Sequence, residues 1–329
     1  MELHQLRYFV AVAQTGSFSR AAVQCHVSQP SLSQQIAKLE KQLNRKLFDR
    51  LNRRVTLTDA GRVLLNQAGT ILSAVEDAEK RLRDDGDFQD ARLTVGAIPT
   101  IAPYLLPSTL QQFSQSFPDV ELMVHEDVTA HLIAALVAGE VDVALMALPI
   151  DDERIEIETL FVEPLWLALP FGHALSERKR ITAQHLYNEK FIVLGDMHCL
   201  GEQVLSFCRT NNCGPRIGCR SAQIATIEQL IIAGHGISLL PEMALPKSVL
   251  KSTPEQRKDS PIYRELSEAP PTRTIVAAWH RHRYLSSAAQ RFVEQLREIQ
   301  ATKNQTAKDQ IAKNRLGSTP AKTKRGAGK

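Results

Sequence analysis

The sequence has no apolar run close to the ~20 residues that a transmembrane helix requires. Its first residues, MELHQLRYFV, lack the basic start, apolar centre and small-residue cleavage site of a signal peptide. Cysteine is scarce, and an odd total of five does not suit a framework of structural disulfides. The cysteines also lack the C-x2-C element typical of zinc sites. We therefore expect a cytoplasmic protein with reduced thiols, no metal, no cofactor and no membrane contact.

Length and charge distribution indicate a modular chain. The 329 residues suffice for roughly two domains, and 43% hydrophobic with 23% charged residues is typical of globular proteins. The net charge of +4 is uneven, because residues 1–59 carry +5, residues 301–329 carry +7 and the region between them carries −8. A basic N-terminal module followed by an acidic one indicates nucleic acid as the partner of the first module.

Residues 1–58 predict an all-α winged helix-turn-helix domain. A first helix buries Leu6, Phe9 and Val12 and ends at Gly16. Ser17 is a suitable N-cap for a second helix, and Ser28 for a third. A basic segment follows and leads into the short β-type run at 55–57, which suits a wing beside a recognition helix.

The third helix and the wing carry the candidate DNA contacts. Short polar and basic side chains at the start of a helix suit base edges and phosphates in a major groove, although a charge-rich stretch can also be merely solvated surface. The candidates are Ser28, Gln29, Pro30, Ser31, Ser33, Gln34 and Lys38 on the helix and Arg50, Arg53 and Arg54 in the wing.

Residues 59–89 predict a dimerisation linker helix that Thr58 caps. Apolar residues recur at spacings of four and three, as in a coiled-coil seam, which favours pairing with a second chain over packing on the helix's own core. The seam residues are Leu64, Ala68, Ile71, Val75, Ala78 and Leu82. The acidic stretch at 84–87 is expected to end the helix. A dimer of two chains would present two DNA-binding domains to double-stranded promoter DNA.

Residues 90–300 alternate short Val-, Ile- and Leu-rich runs with amphipathic stretches at 103–117, 128–139 and 222–234. This alternation predicts an α/β regulatory domain with mostly parallel sheets. Its size favours two similar subdomains, subdomain I at about 90–162 and 269–300 and subdomain II at about 163–268. The low-complexity residues 301–329 predict a basic disordered tail that adds non-specific DNA affinity.

The stretch HCLGEQVLSFC, residues 198–208, predicts a helix that begins near Cys199 and buries Cys208. Backbone amides at a helix start favour a thiolate, so Cys199 is a candidate reactive thiol with a lowered pKa. The two residues would lie about 13.5 Å apart along the helix axis. A disulfide needs Cα atoms within about 7 Å, so a bridge would require the helix to unwind. Either cysteine can instead be a small buried apolar side chain.

The chain resembles the LysR-type transcriptional regulators up to about residue 300. The stretches that carry this resemblance are LRYFVAVAQTGSFSRAA, VSQPSLSQQIAKLE, LFDR, TLTDAG, GEVDVALMAL and GHGISLLP. Three further stretches resemble the peroxide-sensing branch of that family: IPTIAPYLLP, GDMHCLGEQVLSFC and TRTI. The resemblance implies a periplasmic-binding-protein-like regulatory domain and a homodimeric or homotetrameric activator that works with RNA polymerase.

The same resemblance implies roles for individual residues. Cys199 would be the thiol that hydrogen peroxide oxidises, and Cys208 would be its disulfide partner. Thr100, Thr129, His198 and Arg273 would hold peroxide near the reactive sulfur, although the two threonines can also be helix caps. Cys213 and Cys219 have no role in the family pattern, and these nearby thiols leave open whether Cys208 is the only disulfide partner.

The predicted function is therefore a transcription regulator, not an enzyme, that senses hydrogen peroxide through reversible oxidation of Cys199. Two alternatives stay open. The first is a regulator of the same family that binds a small metabolite in the crevice of the regulatory domain. The second is a thiol peroxidase that turns over, which the DNA-reading module disfavours.

Overall fold

The computed structural model describes residues 1–49, 55–83, 88, 91–246, 259–268 and 270–298. The N-terminal unit is built from three helices, a two-stranded hairpin and a long fourth helix. These elements are α1 (Leu3–Thr15), α2 (Phe18–Gln24), α3 (Gln29–Leu43), β1 (Phe48–Asp49), β2 (Thr56–Leu57) and α4 (Asp59–Arg83). They confirm the predicted winged helix-turn-helix followed by a linker helix.

Local capping sets the turns between the first helices. Gly16 adopts a left-handed φ of 61° and ends α1. The Ser17 hydroxyl accepts a hydrogen bond from the Arg20 amide at 3.4 Å, and the Ser28 hydroxyl accepts one from the Ser31 amide at 3.3 Å. Both predicted N-caps are confirmed, and they place the start of α3 at the surface.

The wing is anchored to α3 by a buried carboxylate. Glu40 is 5% exposed, and its Oε1 accepts hydrogen bonds from the amides of Leu47 at 2.8 Å and Phe48 at 3.4 Å. Strand β1 then pairs antiparallel with β2, so the predicted β-type run at 55–57 forms one side of the hairpin. Arg50, Arg53 and Arg54, the wing residues predicted to contact DNA, lie outside the described residues.

The linker helix α4 differs from its prediction in its first half. Thr58 caps it as expected, because the Gly61 amide donates to Thr58 Oγ1 at 3.0 Å. The seam residues Leu64, Ala68 and Ile71, however, pack against the core of their own N-terminal unit. The prediction that the seam pairs with a second chain instead of packing on its own core is therefore wrong for these three residues. Farther along, Leu82 is 88% exposed.

The regulatory domain follows with nine more strands and five more helices in the described ranges. The strands are β3 (Arg92–Ala97), β4 (Glu121–Glu126), β5 (Val143–Ala147), β6 (Ile155–Leu169), β7 (Lys190–Leu194), β8 (Arg216–Ser221), β9 (Ser238–Pro241), β10 (Ile262–Arg264) and β11 (Thr272–His280). The helices are α5 (Ala102–Ser116), α6 (Thr129–Ala138), α7 (Cys199–Thr210), α8 (Ile224–Ile232) and α9 (287–298). Short 3-10 helices lie at Ala174–Glu177, Ala183–Leu186 and Glu242–Ala244.

The sheets are less parallel than predicted. Strand β3 pairs parallel with β4 and β5, and β7 pairs parallel with β8. The long strand β6 pairs antiparallel with β9, β10 and β11, and β11 pairs antiparallel with β5. The prediction of mostly parallel sheets is therefore wrong. Every antiparallel pair of the regulatory domain in the described residues involves β6 or β11.

The regulatory domain has two hydrophobic cores. One is formed by residues between 93 and 160 together with residues between 275 and 296, and the other by residues between 165 and 266. Strand β6 contributes to both cores, since Leu160 belongs to the first and Leu165 to the second. This arrangement confirms an α/β domain of two subdomains. None of the helices in the described ranges is long and apolar enough to cross a membrane.

Polar contacts join the linker helix to the regulatory domain. Ser73 Oγ donates a hydrogen bond to the carbonyl oxygen of Ala138 at 3.0 Å. Asp77 Oδ1 accepts from Arg283 Nη2 at 3.0 Å, and both side chains of this ion pair are largely buried. The linker helix is therefore held to the first core at the end of α6.

Candidate redox site and DNA-reading helix

Helix α7 begins directly at the end of a buried strand. Cys199 is its first residue, and its buried face consists of Leu200, Gly201, Val204 and Cys208. A Cβ atom at Gly201 would lie only 2.4 Å from the carbonyl oxygen of Leu194, the last residue of β7. A glycine there allows the helix to start against the end of the strand.

Cys199 lies between the two cores. Its helix contributes buried residues to the second core, whereas the Cys199 side chain packs against the first. The pocket around it is lined by Ile98, Pro99, Thr100, Val128, Thr129, Met197 and His198. These residues follow β3, β4 and β7, so the carboxyl ends of the parallel pair β3 and β4 and that of β7, from another sheet, meet at this thiol.

Arg273 organises one wall of the site. Its guanidinium is fully buried, and Nε donates to Glu163 Oε1 at 2.5 Å. Nη1 donates to Thr100 Oγ1 at 2.8 Å, and Nη2 donates to the Thr100 carbonyl oxygen at 3.1 Å. Burial raises the pKa of Glu163, while Arg273 and the Met243 amide oppose the rise. Arg273 is close enough to Cys199 for its charge to lower the pKa of that thiol.

The Thr129 hydroxyl faces the thiol from the start of α6. Its Oγ1 is buried and has no hydrogen-bond partner among the described residues. It lies close enough to the Cys199 sulfur to lower the pKa of that thiol. The predicted alternative role as a helix cap does not fit, since Val128 is the residue at the N-cap position and Thr129 is the first residue of the helix.

The prediction of a lowered pKa at Cys199 is wrong in direction. Burial raises the pKa of the thiol above its ordinary value, although Arg273, the Thr129 hydroxyl and the Leu200 amide each lower it. Desolvation outweighs the helix start and the guanidinium because Cys199 packs against the first core. Burial also lowers the pKa of His198, so this imidazole is neutral at pH 7 and adds no positive charge.

Cys208 is buried at the far end of the same helix. It is 1% exposed, and burial together with the neighbouring Cys213 thiol raises the pKa of Cys208 to about 12. All five cysteines lie in the described ranges and are free thiols. Cys208 comes nine positions after Cys199 on this helix, about 13.5 Å farther along its axis. A bridge between them therefore cannot form while α7 is helical.

Two participants in the site were not predicted from the sequence. Glu163 pairs with Arg273 across 110 positions, and a lone carboxylate in the apolar run FVEPLW was the available signal. Gln203 Nε2 donates to the carbonyl oxygen of Leu148 at 2.6 Å and so ties α7 to the end of β5. Cys213, which the sequence left open as a further disulfide partner, lies beside Cys208.

The predicted DNA contacts on α3 lie at one surface. Ser28, Gln29, Pro30, Ser31, Gln34 and Lys38 are exposed, and Ser33 is half-buried. The opposite face of α3 buries Leu32, Ile36 and Leu39 in the N-terminal core. The Ser28 hydroxyl accepts the capping hydrogen bond from the Ser31 amide and so fixes the start of α3.

Comparison with known proteins agrees with this architecture. Residues 3–62 match the bacterial regulatory helix-turn-helix protein family of the lysR type, and residues 87–301 match the LysR substrate binding domain. The DNA-binding transcriptional dual regulator OxyR of Escherichia coli is 35% identical over 297 residues, which cover 90% of this chain and 95% of that protein. A probable hydrogen peroxide-inducible genes activator of Mycobacterium leprae is 37% identical and covers 75% of this chain and 80% of its own.

Solved structures give the same result. Full-length OxyR of Pseudomonas aeruginosa, in a cysteine-to-aspartate variant, has a TM-score of 0.70 at 32% identity and covers 91% of this chain and 94% of its own. A cysteine mutant of Corynebacterium glutamicum OxyR with hydrogen peroxide bound has a TM-score of 0.58 at 31% identity and covers 97% of both chains.

The chain therefore belongs to the LysR family of DNA-binding transcription regulators. Within that family, the relatives described above are OxyR proteins and activators of hydrogen peroxide-inducible genes.

Proposed function

We propose that this protein is a transcription regulator that senses hydrogen peroxide through Cys199 and passes the signal on by forming a disulfide with Cys208. The observation that carries the proposal is the placement of both thiols on one helix. Cys199 lies in a pocket with two threonine hydroxyls and a buried arginine, and Cys208 is too far away to react until α7 unwinds. Oxidation and conformational change are thereby coupled.

Hydrogen peroxide binds in the pocket beside Cys199. The hydroxyls of Thr100 and Thr129 and the ring of the neutral His198 hydrogen-bond its oxygens, and Arg273 fixes Thr100. The Cys199 thiolate attacks one peroxide oxygen, the O–O bond breaks, and the leaving oxygen departs as water after protonation. Cys199 becomes a sulfenic acid.

Cys208 then condenses with the sulfenic acid. Its sulfur bonds to the Cys199 sulfur and a second water leaves, so one peroxide has taken two electrons from two thiols. Closure requires α7 to unwind, which breaks the Gln203–Leu148 contact and withdraws Leu200 and Val204 from the second core. Cellular thiol donors reduce the bridge and reset the protein.

The partners follow from the N-terminal unit. Helix α3 reads double-stranded promoter DNA, and the C-terminal half of α4 pairs with a second chain in a homodimer or homotetramer. Refolding of α7 changes the packing of these chains and thereby the contact with RNA polymerase. The protein acts in the cytoplasm.

The test is the transcriptional response of cells that carry the Cys199→Ser variant. The proposal requires the response to hydrogen peroxide to be lost while operator binding by the reduced protein persists. An intact response would instead favour regulation by a small metabolite in the crevice. Sustained consumption of peroxide with added reductant, at the rate of a peroxidase, would favour an enzyme over a sensor.

A further inference from the structure

The end of α7 brings a third cysteine into the redox site. Asn212 has a left-handed φ of 52° and reverses the chain after the last helical turn. The Cys213 amide donates to the Cys208 carbonyl oxygen at 2.9 Å, and the Asn212 amide donates to the Arg209 carbonyl oxygen at 3.3 Å. This pair of bonds is a Schellman motif, which places the side chains of its two outer residues in contact. Here those residues are Cys208 and Cys213.

The two thiols are buried together. Cys208 is 1% exposed and Cys213 is 0% exposed, and both belong to the second core. They lie close enough to influence each other, since the Cys213 thiol raises the pKa of Cys208 and the Cys208 thiol lowers that of Cys213. Burial still raises the pKa of Cys213 overall. Both sulfurs lie inside the second core and outside the pocket that surrounds Cys199, so we expect neither to react directly with peroxide.

Cys208 and Cys213 can form a disulfide without unwinding α7, whereas Cys199 and Cys208 cannot. A backbone hydrogen bond already holds Cys208 and Cys213 beside each other, so a disulfide between them leaves α7 helical. A disulfide between Cys199 and Cys208 must unwind about nine residues of the same helix. Oxidised Cys208 therefore has two available partners, and only one of them distorts the fold.

We propose that Cys213 is a second resolving thiol, which takes Cys208 out of the Cys199–Cys208 disulfide. This inference rests on the proposed function. The Cys213 thiolate attacks the Cys208 sulfur, the Cys208–Cys213 bond forms, and the Cys199–Cys208 bond breaks with Cys199 leaving as a thiolate. Cys199 takes up the proton that Cys213 has lost. No further oxidant is needed, because peroxide has already removed the two electrons.

Unwinding of α7 is what starts the exchange. It takes the Asn212 turn out of the second core, so the pKa of Cys213 falls toward that of an exposed thiol. Only four residues separate the two cysteines, which keeps their mutual concentration high in the unwound segment. After the exchange α7 can re-form with Cys199 reduced in its pocket, so the signal ends before any external thiol has acted.

The test maps disulfides in the full-length chain over time. Reduced protein receives one equivalent of hydrogen peroxide, is quenched with N-ethylmaleimide at intervals and is digested with trypsin and a glutamate-specific protease. Cleavage after Glu202 and Arg209 puts Cys199, Cys208 and Cys213 on three different peptides. We expect a Cys199–Cys208 link that rises first and then falls, while a Cys208–Cys213 link and alkylated Cys199 appear in its place.

Two variants make the test decisive. Cys213→Ser should hold the Cys199–Cys208 link for at least tenfold longer, and Cys219→Ser, a matched control on β8, should behave like the unchanged protein. The inference is overturned if the Cys199–Cys208 link lasts as long in the unchanged protein as in Cys213→Ser. It is also overturned if Cys199→Ser forms the Cys208–Cys213 link equally fast. The unchanged protein supplies the decisive time course even if Cys213→Ser does not fold.

A separate experiment distinguishes failure of the proposed function from failure of the Cys213 inference. Cys208→Ser treated with dimedone and peroxide should carry the dimedone adduct on Cys199. If Cys199 is not oxidised there, both the function and this inference fall. If Cys199 is oxidised and bridges to Cys208 without any transfer to Cys213, only this inference falls.

Discussion

Arg273 holds Thr100 by two hydrogen bonds, one to its hydroxyl at 2.8 Å and one to its carbonyl oxygen at 3.1 Å. Its third nitrogen, Nε, donates to the buried carboxylate of Glu163. The guanidinium therefore links β11, β6 and the loop after β3, and it fixes one wall of the Cys199 pocket. Its role is positional as much as electrostatic.

Arg273→Met should destabilise the reduced protein strongly. It leaves the Glu163 carboxylate buried without its cation, which costs about 3–5 kcal/mol of unfolding free energy. The double variant Arg273→Met with Glu163→Leu should recover much of that loss, because neither charge then remains buried. Urea unfolding of the reduced protein measures both effects.

The control for this prediction is the exposed pair of Arg281 and Glu156. Arg281→Met should change the unfolding free energy by less than about 1 kcal/mol, because water screens the exposed pair. Equal losses for Arg281→Met and Arg273→Met would contradict the assignment of Arg273 as a buried anchor.

Thr129→Val should slow the oxidation of Cys199. The substitution keeps the shape of the side chain and removes the buried hydroxyl that faces the sulfur and would donate a hydrogen bond to the thiolate. A hydrogen bond to a charged group contributes about 1.5–3 kcal/mol, so we expect the second-order rate constant with peroxide to fall about tenfold or more. Thr129→Ser retains the hydroxyl and serves as the control. Equal rates for the Val and Ser variants would remove Thr129 from the mechanism.

The rate of Cys199 oxidation should rise with pH through the neutral range. Burial raises the pKa of this thiol above its ordinary value, so at pH 7 only a small fraction is thiolate. Below the pKa the thiolate fraction grows about tenfold per pH unit, and the rate should follow it without a plateau up to about pH 8.5. The measurement is the rate of Cys199 oxidation after rapid mixing with peroxide at several pH values between 6 and 8.5. A plateau below pH 7 would mean that the thiolate already dominates.

Sequence selectivity should reside at the start of α3. Replacing Gln29, Ser31 and Gln34 together by alanine removes three exposed polar side chains but no core residue. We expect affinity for the operator to approach that for unrelated DNA, since base contacts specify and phosphate contacts mainly position. Competition binding at fixed salt measures the ratio. An unchanged ratio, with the helix content of the domain preserved, would show that another element reads the bases.

Features governed by neighbouring residues could be predicted from the sequence. The caps at Ser17, Ser28 and Thr58 and the start of α7 at Cys199 depend on residues within a few positions, and the structure confirms them. Strand β8 was missed because its sequence, RIGCRS, is half polar and lacks an apolar run.

Features governed by distant contacts could not be predicted. The Glu163–Arg273 pair joins residues 110 positions apart, and its existence depends on β6 and β11 lying side by side. The direction of the Cys199 pKa likewise depends on packing against a core to which its own helix does not belong. Sequence reasoning included the favourable helix start but not the desolvation, which is larger.

The central claim is that the bridge between Cys199 and Cys208 forms only as α7 unwinds. Backbone hydrogen–deuterium exchange of residues 199–210, followed with disulfide mapping on the same samples, tests it most directly. We predict that the amides of Val204 to Cys208 are protected in the reduced protein, lose protection as the Cys199–Cys208 link appears, and stay protected in Cys208→Ser exposed to peroxide. Full protection of those amides while the link is present would contradict the account.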